Sequence, residues 1–292
     1  MKIGLQIPSF NWPGGTAEIG PRLAEIGRTA DDVGFDSLWV MDHFFQIQHI
    51  GKPEEPMLEG YSALSFLAGV TTRVTLGTLV TGVIYRNPGI LAKTVTTLDV
   101  LSGGRAWLGI GAAWNEEESK GLGIPFPPLK VRFEQLEEAL QIILQMWRGD
   151  ESPYTGTHYQ MERPLNSPQP VRTPRPPIMI GGIGEQKTLR MVAQYADACN
   201  LFSRLGDDVL RHKIGVLKGH CENLGRPFEE IEITTLSTAF IPGTQTPAEI
   251  IAHCKGLAAL GVHHAIFNMP NISDREALTT FGREIIPAVA EL

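Results

Sequence analysis

The amino-acid sequence predicts an α/β protein with a (β/α)8 TIM-barrel fold. Short apolar runs alternate with amphipathic stretches along all 292 residues, as in parallel strands joined by helices. Eight of these runs are predicted strands and nearly all are followed by a helix, which is the number of units that closes a barrel. Because barrels commonly form one domain of about 250 residues, we predict a single domain over residues 1–292. A doubly wound open sheet is the alternative fold.

The first four strand–helix units fill the N-terminal half of the chain. The first helix carries Ile19, Leu23 and Ile26 at helical spacing and stops before Gly34. Pro88 suits the first turn of the third helix. The pattern predicts strands over residues 2–8, 37–41, 74–81 and 106–109, and helices over residues 17–33, 61–70, 89–101 and 130–148.

Residues 149–177 interrupt the alternation. The segment is rich in proline and turn residues, and Tyr154 and Tyr159 lie in a pattern typical of a small hairpin. We therefore predict a short Pro-rich insertion after the fourth β/α unit, with a surface hairpin. The alternation then resumes, with strands predicted over residues 178–180, 198–202, 231–240 and 263–267, and helices over residues 186–195, 207–224, 247–260 and 274–286.

Composition and charge exclude several classes of protein. Charged residues make up 20% and hydrophobic residues 42% of the chain, which is typical of a globular protein and not of a disordered one. The net charge is -7 without a run of five like charges, so we expect neither a nucleic acid nor a membrane as partner. No long apolar stretch occurs, and the first strand leaves no room for a signal peptide. We expect a cytoplasmic protein that acts on a small molecule.

Cysteine and histidine usage gives no sign of a metal site or of a disulfide framework. The three cysteines (Cys199, Cys221, Cys254) have no CxxC spacing and stand in contexts that favour buried thiols. The chain contains no HExxH motif and no carboxylate cluster that would suggest a metal. His263 and His264 share the last strand, so we expect one to be buried and the other exposed.

Glycine is enriched, with 31 residues, and concentrates in two turns that follow predicted strands. In a barrel, functional groups come from the carboxyl ends of the strands. The turns at residues 108–115 and 179–185 lack Cβ atoms at several positions, which would let backbone N–H groups approach an anion. The second turn enters a helix expected to begin near Glu185, whose N-terminus favours a phosphate. The alternative is that these glycines only form tight turns.

Asp42 and His43 form the most chemically suggestive pair. They follow the second predicted strand, where a histidine can give or take a proton near neutral pH and a neighbouring acid can tune it. The pair therefore indicates acid–base chemistry. The alternative is that His43 only holds a loop.

Six segments, taken together and in order, carry a family resemblance over nearly the full chain. They are residues 35–44, 76–81, 86–88, 98–105, 108–115 and 180–184. Their sequences at these spacings resemble the luciferase-like monooxygenase superfamily, and within it the oxidoreductases that use the deazaflavin coenzyme F420. The resemblance implies a β/α barrel, in agreement with the strand count, and a homodimer.

The resemblance also implies where the cofactor binds. A non-prolyl cis peptide between Thr78 and Leu79 would form a bulge behind the deazaflavin ring. Asp42 would contact the polar edge of the ring, and Thr81 would line its pocket. Many relatives have glycine where this chain has Ala113, so the backbone there has less freedom. The other implied cofactor contacts are Gly111, Ala112, Ala113, Trp114, Asn115, Gly181, Gly182, Ile183 and Gly184.

The function implied is hydride transfer between C5 of F420 and a small, weakly polar organic substrate. His43 matches the histidine that several members use as a proton donor or acceptor, and Glu118 matches a carboxylate that we interpret as structural. Aromatic residues at the expected mouth of the barrel favour such a substrate: Phe10, Trp12, Phe44, Phe45 and Trp114. The alternatives are an FMN-dependent monooxygenase with the same fold and a non-catalytic protein that binds a flavin-like ligand.

Overall fold

A computed structural model describes residues 1–292 and shows a closed parallel barrel. The strands are β1 (Lys2–Ile7), β2 (Ser37–Val40), β3 (Thr75–Thr78), β4 (Thr81–Gly82), β5 (Ala106–Gly111), β6 (Tyr154–Thr155), β7 (Gln160–Met161), β8 (Ile178–Gly181), β9 (Ala198–Phe202), β10 (Glu232–Thr238) and β11 (His264–Asn268). Around the barrel the order is β3, β2, β1, β11, β10, β9, β8 and β5, and the pairing of β3 with β5 closes the ring. The predicted (β/α)8 barrel is confirmed.

Helices connect the barrel strands. They are α1 (Thr16–Val33), α2 (Gly60–Val70), α3 (Pro88–Ser102), α4 (Glu116–Gly121), α5 (Leu129–Trp147), α6 (Thr188–Tyr195), α7 (Asp207–Leu224), α8 (Pro247–Ala259), α9 (Arg275–Thr280) and α10 (Ile286–Val289). As predicted, α3 opens on Pro88, and the Asn87 side chain caps it by accepting a hydrogen bond from Gly89 N. None of these helices combines the length and the apolar character needed to cross a membrane.

The chain between α5 and β8 contains a two-stranded hairpin. Strands β6 and β7 pair antiparallel, with Tyr154 opposite Met161. Glu138 on α5 accepts hydrogen bonds from the backbone N–H groups of Thr157, His158 and Tyr159, which ties the hairpin to the barrel's helical layer. The hairpin predicted from the tyrosine spacing is confirmed.

The third barrel strand ends earlier than predicted. Instead of one strand over residues 74–81, β3 ends at Thr78, a non-prolyl cis peptide joins Leu79 to Val80, and β4 begins at Thr81. The prediction of a cis bond between Thr78 and Leu79 is therefore wrong by one residue. Thr78 still belongs to the ladder, because it pairs with Val40 of β2, so the departure from strand geometry comes after it.

Two apolar cores lie on either side of the barrel wall. Inside the barrel, Trp39 and Trp107 meet edge to face with ring centroids 5.9 Å apart, and they pack with Leu79, Met179 and Ile266. A larger core fills the space between the strands and the helices. It includes Cys199, Cys221 and Cys254, which are buried free thiols as expected.

A chain of polar side chains, exposed at Lys2 and buried at His264 and Ser37, crosses the end of the barrel where the strands begin. Glu232 at the start of β10 accepts hydrogen bonds from Lys2 Nζ (2.9 Å) and from His264 Nδ1 (3.1 Å). His264 Nε2 is 2.9 Å from Ser37 Oγ, which also accepts from Trp39 Nε1. His264 is buried and His263 is exposed, as predicted. Burial alone would raise the pKa of Glu232, but the bonds and charges of His264 and Lys2 outweigh it and lower that pKa to about 2.

This low pKa predicts a loss of stability in acid. Because the pKa in the folded protein lies below the ordinary value, the carboxylate stabilises the fold fully above about pH 5, and the contribution falls as the pH drops toward about 2. We expect the Glu232 carboxylate to contribute about 3 kcal/mol to the free energy of unfolding at neutral pH, and about 2 kcal/mol of this to be lost by about pH 3. Urea unfolding of wild type and Glu232→Gln at several pH values measures this difference. The exposed substitution Glu229→Gln is the control. If the difference in unfolding free energy between wild type and Glu232→Gln did not narrow in acid, the low pKa of Glu232 would be contradicted.

Candidate active site

Two adjoining cavities open at the carboxyl ends of the barrel strands. The inner cavity, of about 530 Å³, is bounded by the Leu79–Val80 step and by the turns that follow β5 and β8. The outer cavity, of about 690 Å³, lies toward the ends of β1, β10 and β11. Five residues line both: His43, Leu79, Trp114, Phe202 and Leu236. His43 therefore lies where the two cavities meet.

Most residues that the family resemblance singled out line the inner cavity. These are Asp42, His43, Leu79, Thr81, Gly111, Ala112, Ala113, Trp114, Gly181, Gly182, Ile183 and Gly184. Thr78 and Asn115 do not. The hydroxyl of Thr78 is buried against Thr81 Oγ1 (2.7 Å) and Gly109 O (3.1 Å). Asn115 precedes α4, and its carbonyl accepts a hydrogen bond from Ser119 Oγ.

His43 is anchored by a buried carboxylate. Its Nδ1 lies 2.5 Å from Oε1 of Glu118, whose side chain is inaccessible to solvent, and its Nε2 makes no hydrogen bond within the protein. The imidazole also meets Trp114 edge to face, with ring centroids 5.3 Å apart. Burial alone would raise the pKa of Glu118, but the hydrogen bonds and charge of His43, with Tyr85 and Phe44 N, lower it below its ordinary value. Glu118, which we interpreted as structural, holds the loop through Phe44 N and Phe45 N and is also bonded to the His43 ring.

Asp42 is held by an arginine from the loop before α3. Arg86 donates to both carboxylate oxygens of Asp42, over 2.7 and 2.9 Å, and it also pairs with Glu59. Burial raises the pKa of Asp42, and the hydrogen bonds and charge of Arg86 oppose that rise. Arg86 is thus a local partner of Asp42. It orients the carboxylate at the wall of the inner cavity.

Three glycines in the predicted phosphate turns allow close packing of the barrel wall, and two of them, Gly111 and Gly181, also line the inner cavity. A Cβ on Gly109 would lie 1.9 Å from the carbonyl oxygen of Thr78, and one on Gly111 or Gly181 would lie 3.1 or 3.0 Å from methyl groups of Val80. The missing Cβ atoms let β5 and β8 approach the Leu79–Val80 peptide.

The turn after β8 differs from these positions because it presents backbone N–H groups without partners. None of the backbone N–H groups from Ile183 to Thr188 donates a hydrogen bond within the protein. Helix α6 begins at Thr188 and not near Glu185 as predicted, which leaves a longer run of free donors before the first helical turn. Ile183, Gly184 and Thr188 line the inner cavity. Such a run of unpaired N–H groups at a helix start is suited to an anion.

Ala113, in the turn after β5, adopts a left-handed backbone conformation with a φ of 59°. An L-residue other than glycine is disfavoured there by about 1 kcal/mol. We therefore expect Ala113→Gly to raise the free energy of unfolding by up to about 1 kcal/mol. Urea denaturation measures the change. Ala112→Gly is the matched control because Ala112 has a negative φ, and it should destabilise; equal effects at both positions would contradict the explanation.

Comparison with known proteins identifies the family of the chain. The sequence model of the luciferase-like monooxygenase family matches residues 1–278. The chain belongs to this family.

Individual relatives and solved structures are similar to the chain over nearly its full length. The chain is 26% identical to a protein from Amycolatopsis mediterranei named F420-dependent glucose-6-phosphate dehydrogenase, over 94% of this chain and 96% of the relative. Its fold resembles coenzyme F420-dependent tetrahydromethanopterin reductase from Methanopyrus kandleri, with a TM-score of 0.81, 16% identity and coverage of 98% and 99% of the two chains. It also resembles a monooxygenase from Streptomyces bottropensis, with a TM-score of 0.81, 17% identity and the same coverage.

Several lining residues of this luciferase-like site were not predicted from the sequence. They are Gly82, Tyr85, Leu129, Phe133, Leu136, Thr188, Asn200, Phe202 and Leu236. Asn200 and Phe202 lie toward the carboxyl end of β9, where the rule for barrels would have found them. Phe133 and Leu136 lie on the apolar face of α5, which periodicity assigns to the core without showing that it also faces a cavity.

The aromatic residues expected at the mouth divide into two groups. Trp114 lines both cavities and Trp12 lines the outer one. Phe10 is buried against Trp12, with centroids 5.6 Å apart, and neither Phe44 nor Phe45 lines either cavity. Periodicity could not separate these cases, because all five residues follow strand ends.

Proposed function

We propose that this protein is an F420-dependent oxidoreductase that transfers a hydride between C5 of the deazaflavin and a small, weakly polar organic substrate. The observation that carries the proposal is the position of His43 between two adjoining cavities, with its Nε2 unbonded. One cavity can hold a cofactor ring and the other a substrate, with a proton donor or acceptor between them. The near full-length relative from Amycolatopsis mediterranei, named as F420-dependent, supports the choice of cofactor.

The inner cavity fits the chemical parts of F420. A planar ring needs an apolar slot, and Leu79, Val80 and Ala112 line this cavity. A phosphate needs donors, and the free N–H groups from Ile183 to Thr188 supply them. Lys187 adds a cation beside this turn, with its Nζ 5.3 Å from the ring centroid of Phe133, which lines the cavity. Gly111, Ala113 and Gly181–Gly184 would border the ring and the phosphate.

The protein's own contribution is orientation and proton movement. When bound, F420 supplies a two-electron carrier that accepts or gives a hydride at C5. Neutral His43 would take the proton of a substrate hydroxyl at Nε2 as the substrate is oxidised, and its imidazolium would return that proton in the reverse direction. Leu79 and Trp114 border both cavities, so they would hold the deazaflavin ring and the substrate in a fixed relative position and exclude water.

The outer cavity would hold the substrate. Trp12, Trp114, Met269 and Ile272 provide apolar surface, while Asn268 and other polar groups stand among them. This mixture suits a small molecule with an apolar body and one reacting hydroxyl or carbonyl group. We also propose that the protein acts as a homodimer, as the family resemblance implies.

The function is tested by reducing F420 with candidate substrates. Purified protein is incubated without oxygen with F420 and a panel of secondary alcohols, polyols and sugar phosphates, and the visible absorbance of oxidised F420 is followed. The proposal expects at least one substrate to bleach F420 in proportion to its oxidation. The competing FMN-dependent monooxygenase would instead consume oxygen with reduced FMN and leave F420 unchanged, and that result would overturn the proposal.

A further inference from the structure

Glu118 contacts four groups, each of which can donate a hydrogen bond to it. Its Oε1 lies 2.5 Å from His43 Nδ1 and 2.5 Å from Tyr85 Oη, and its Oε2 accepts from Phe44 N (2.7 Å) and Phe45 N (3.2 Å). No lysine or arginine pairs with it. An ionised carboxylate accepts at both oxygens, so this form of Glu118 satisfies all four contacts at once.

We propose that Glu118 is the positioning residue of His43, fixing its neutral ring as the Nδ1–H tautomer and leaving the Nε2 lone pair to the two cavities. Tyr85 donates to the same oxygen and so restrains the carboxylate from its other side. The use of this tautomer in proton transfer rests on the function proposed above. The tautomer itself does not.

Other charged groups around His43 do not compete for its Nδ1. Asp42, the neighbouring acid, is engaged through both oxygens by Arg86, and Arg86 also binds Glu59. Tyr85 reaches His43 only through Glu118. Glu118 is therefore the carboxylate bonded to the imidazole, and it determines which ring nitrogen carries the proton.

The contacts of Glu118 with the backbone determine how a glutamine at that position would be oriented. The N–H groups of Phe44 and Phe45 can only donate, so a glutamine at position 118 must turn its carbonyl oxygen toward them. Its NH2 group then faces His43 and Tyr85. His43 Nδ1 would have to accept a hydrogen bond, which moves the ring proton to Nε2 and presents a donor to the cavities, the wrong tautomer for a base.

Long-range proton–nitrogen correlation spectra of the ¹⁵N-labelled protein test this directly. The spectra are recorded without cofactor or substrate at alkaline pH, and the His43 signals are assigned by their absence in His43→Asn. We expect the neutral wild-type ring to carry its proton on Nδ1, and the Glu118→Gln ring to carry it on Nε2. Glu116→Gln is the control, because Glu116 is exposed on the same helix and pairs only with Lys120; it should leave the wild-type pattern unchanged.

Two results would overturn the proposal. One is a wild-type ring with its proton on Nε2, which needs no variant to fold. The other is a folded Glu118→Gln protein that retains the wild-type pattern. Neither measurement involves F420, so failure here and failure of the proposed function are distinguishable.

Discussion

Replacing His43 with asparagine should lower kcat by about 10²–10⁴-fold, the usual contribution of a positioned acid or base. The imidazole is the titratable group that borders both cavities with a free ring nitrogen. Asparagine can still donate toward Glu118 but cannot take a proton. The affinity for F420 should stay within about threefold, because His43 meets the cofactor at one edge of a cavity lined mainly by other residues. Steady-state kinetics and F420 titration of the same preparation measure both quantities.

A matched histidine substitution controls for general damage. His158 lies in the turn between β6 and β7 and pairs with Glu134, away from both cavities. His158→Asn should retain wild-type kcat. If His43→Asn turned over substrate at the wild-type rate, the proton-transfer role of His43 would be wrong even with the fold and cofactor intact.

Gly109→Ala should destabilise the protein by about 3 kcal/mol or more, at the upper end of overpacking effects. The new Cβ would lie 1.9 Å from the carbonyl oxygen of Thr78, and backbone atoms on both sides cannot move aside as a flexible side chain can. The strain falls on Thr78, which lies directly before Leu79 and Val80. Because these two residues line the inner cavity, F420 binding should weaken as well. Urea unfolding gives the stability change, and titration of the folded fraction gives the change in affinity.

A second glycine substitution separates this packing effect from the effect of alanine itself. Gly219 lies within α7, and a Cβ there would meet nothing within 4 Å. Gly219→Ala should stabilise the protein by up to about 1 kcal/mol, because alanine is the better helix former. A Gly109→Ala protein as stable as wild type would show that β3 and β5 do not pack as closely as described.

The barrel could be predicted because the sequence patterns that indicate its strands and helices are local. Each strand or helix has its own periodicity, and the alternation of the two specifies parallel strands with helical connections. The predicted element boundaries are wrong where tertiary contacts determine where a strand ends or a helix begins. Apolar and β-branched residues continue past Thr78, so nothing local indicates that the ladder stops there. The late start of α6 at Thr188 likewise follows a turn whose residues are compatible with a helix.

The candidate site could be predicted in part for a similar reason. The rule that functional groups follow strand ends locates Asp42, His43 and the glycine turns. It does not reveal that Glu118, 75 residues after His43, bonds to its ring. Nor does it separate Gly109, where a Cβ would collide with the carbonyl oxygen of Thr78, from Gly184, which lines the inner cavity. These distinctions depend on which side chains meet in the folded barrel.

Equilibrium titration of the purified apoprotein with F420 and with FMN tests the central claim most directly. Intrinsic tryptophan fluorescence is a suitable signal, because Trp114 borders both cavities. The account predicts saturable binding of F420 at micromolar concentrations and binding of FMN at least tenfold weaker, a difference of about 1.4 kcal/mol. Micromolar binding of FMN together with no binding of F420 would contradict it.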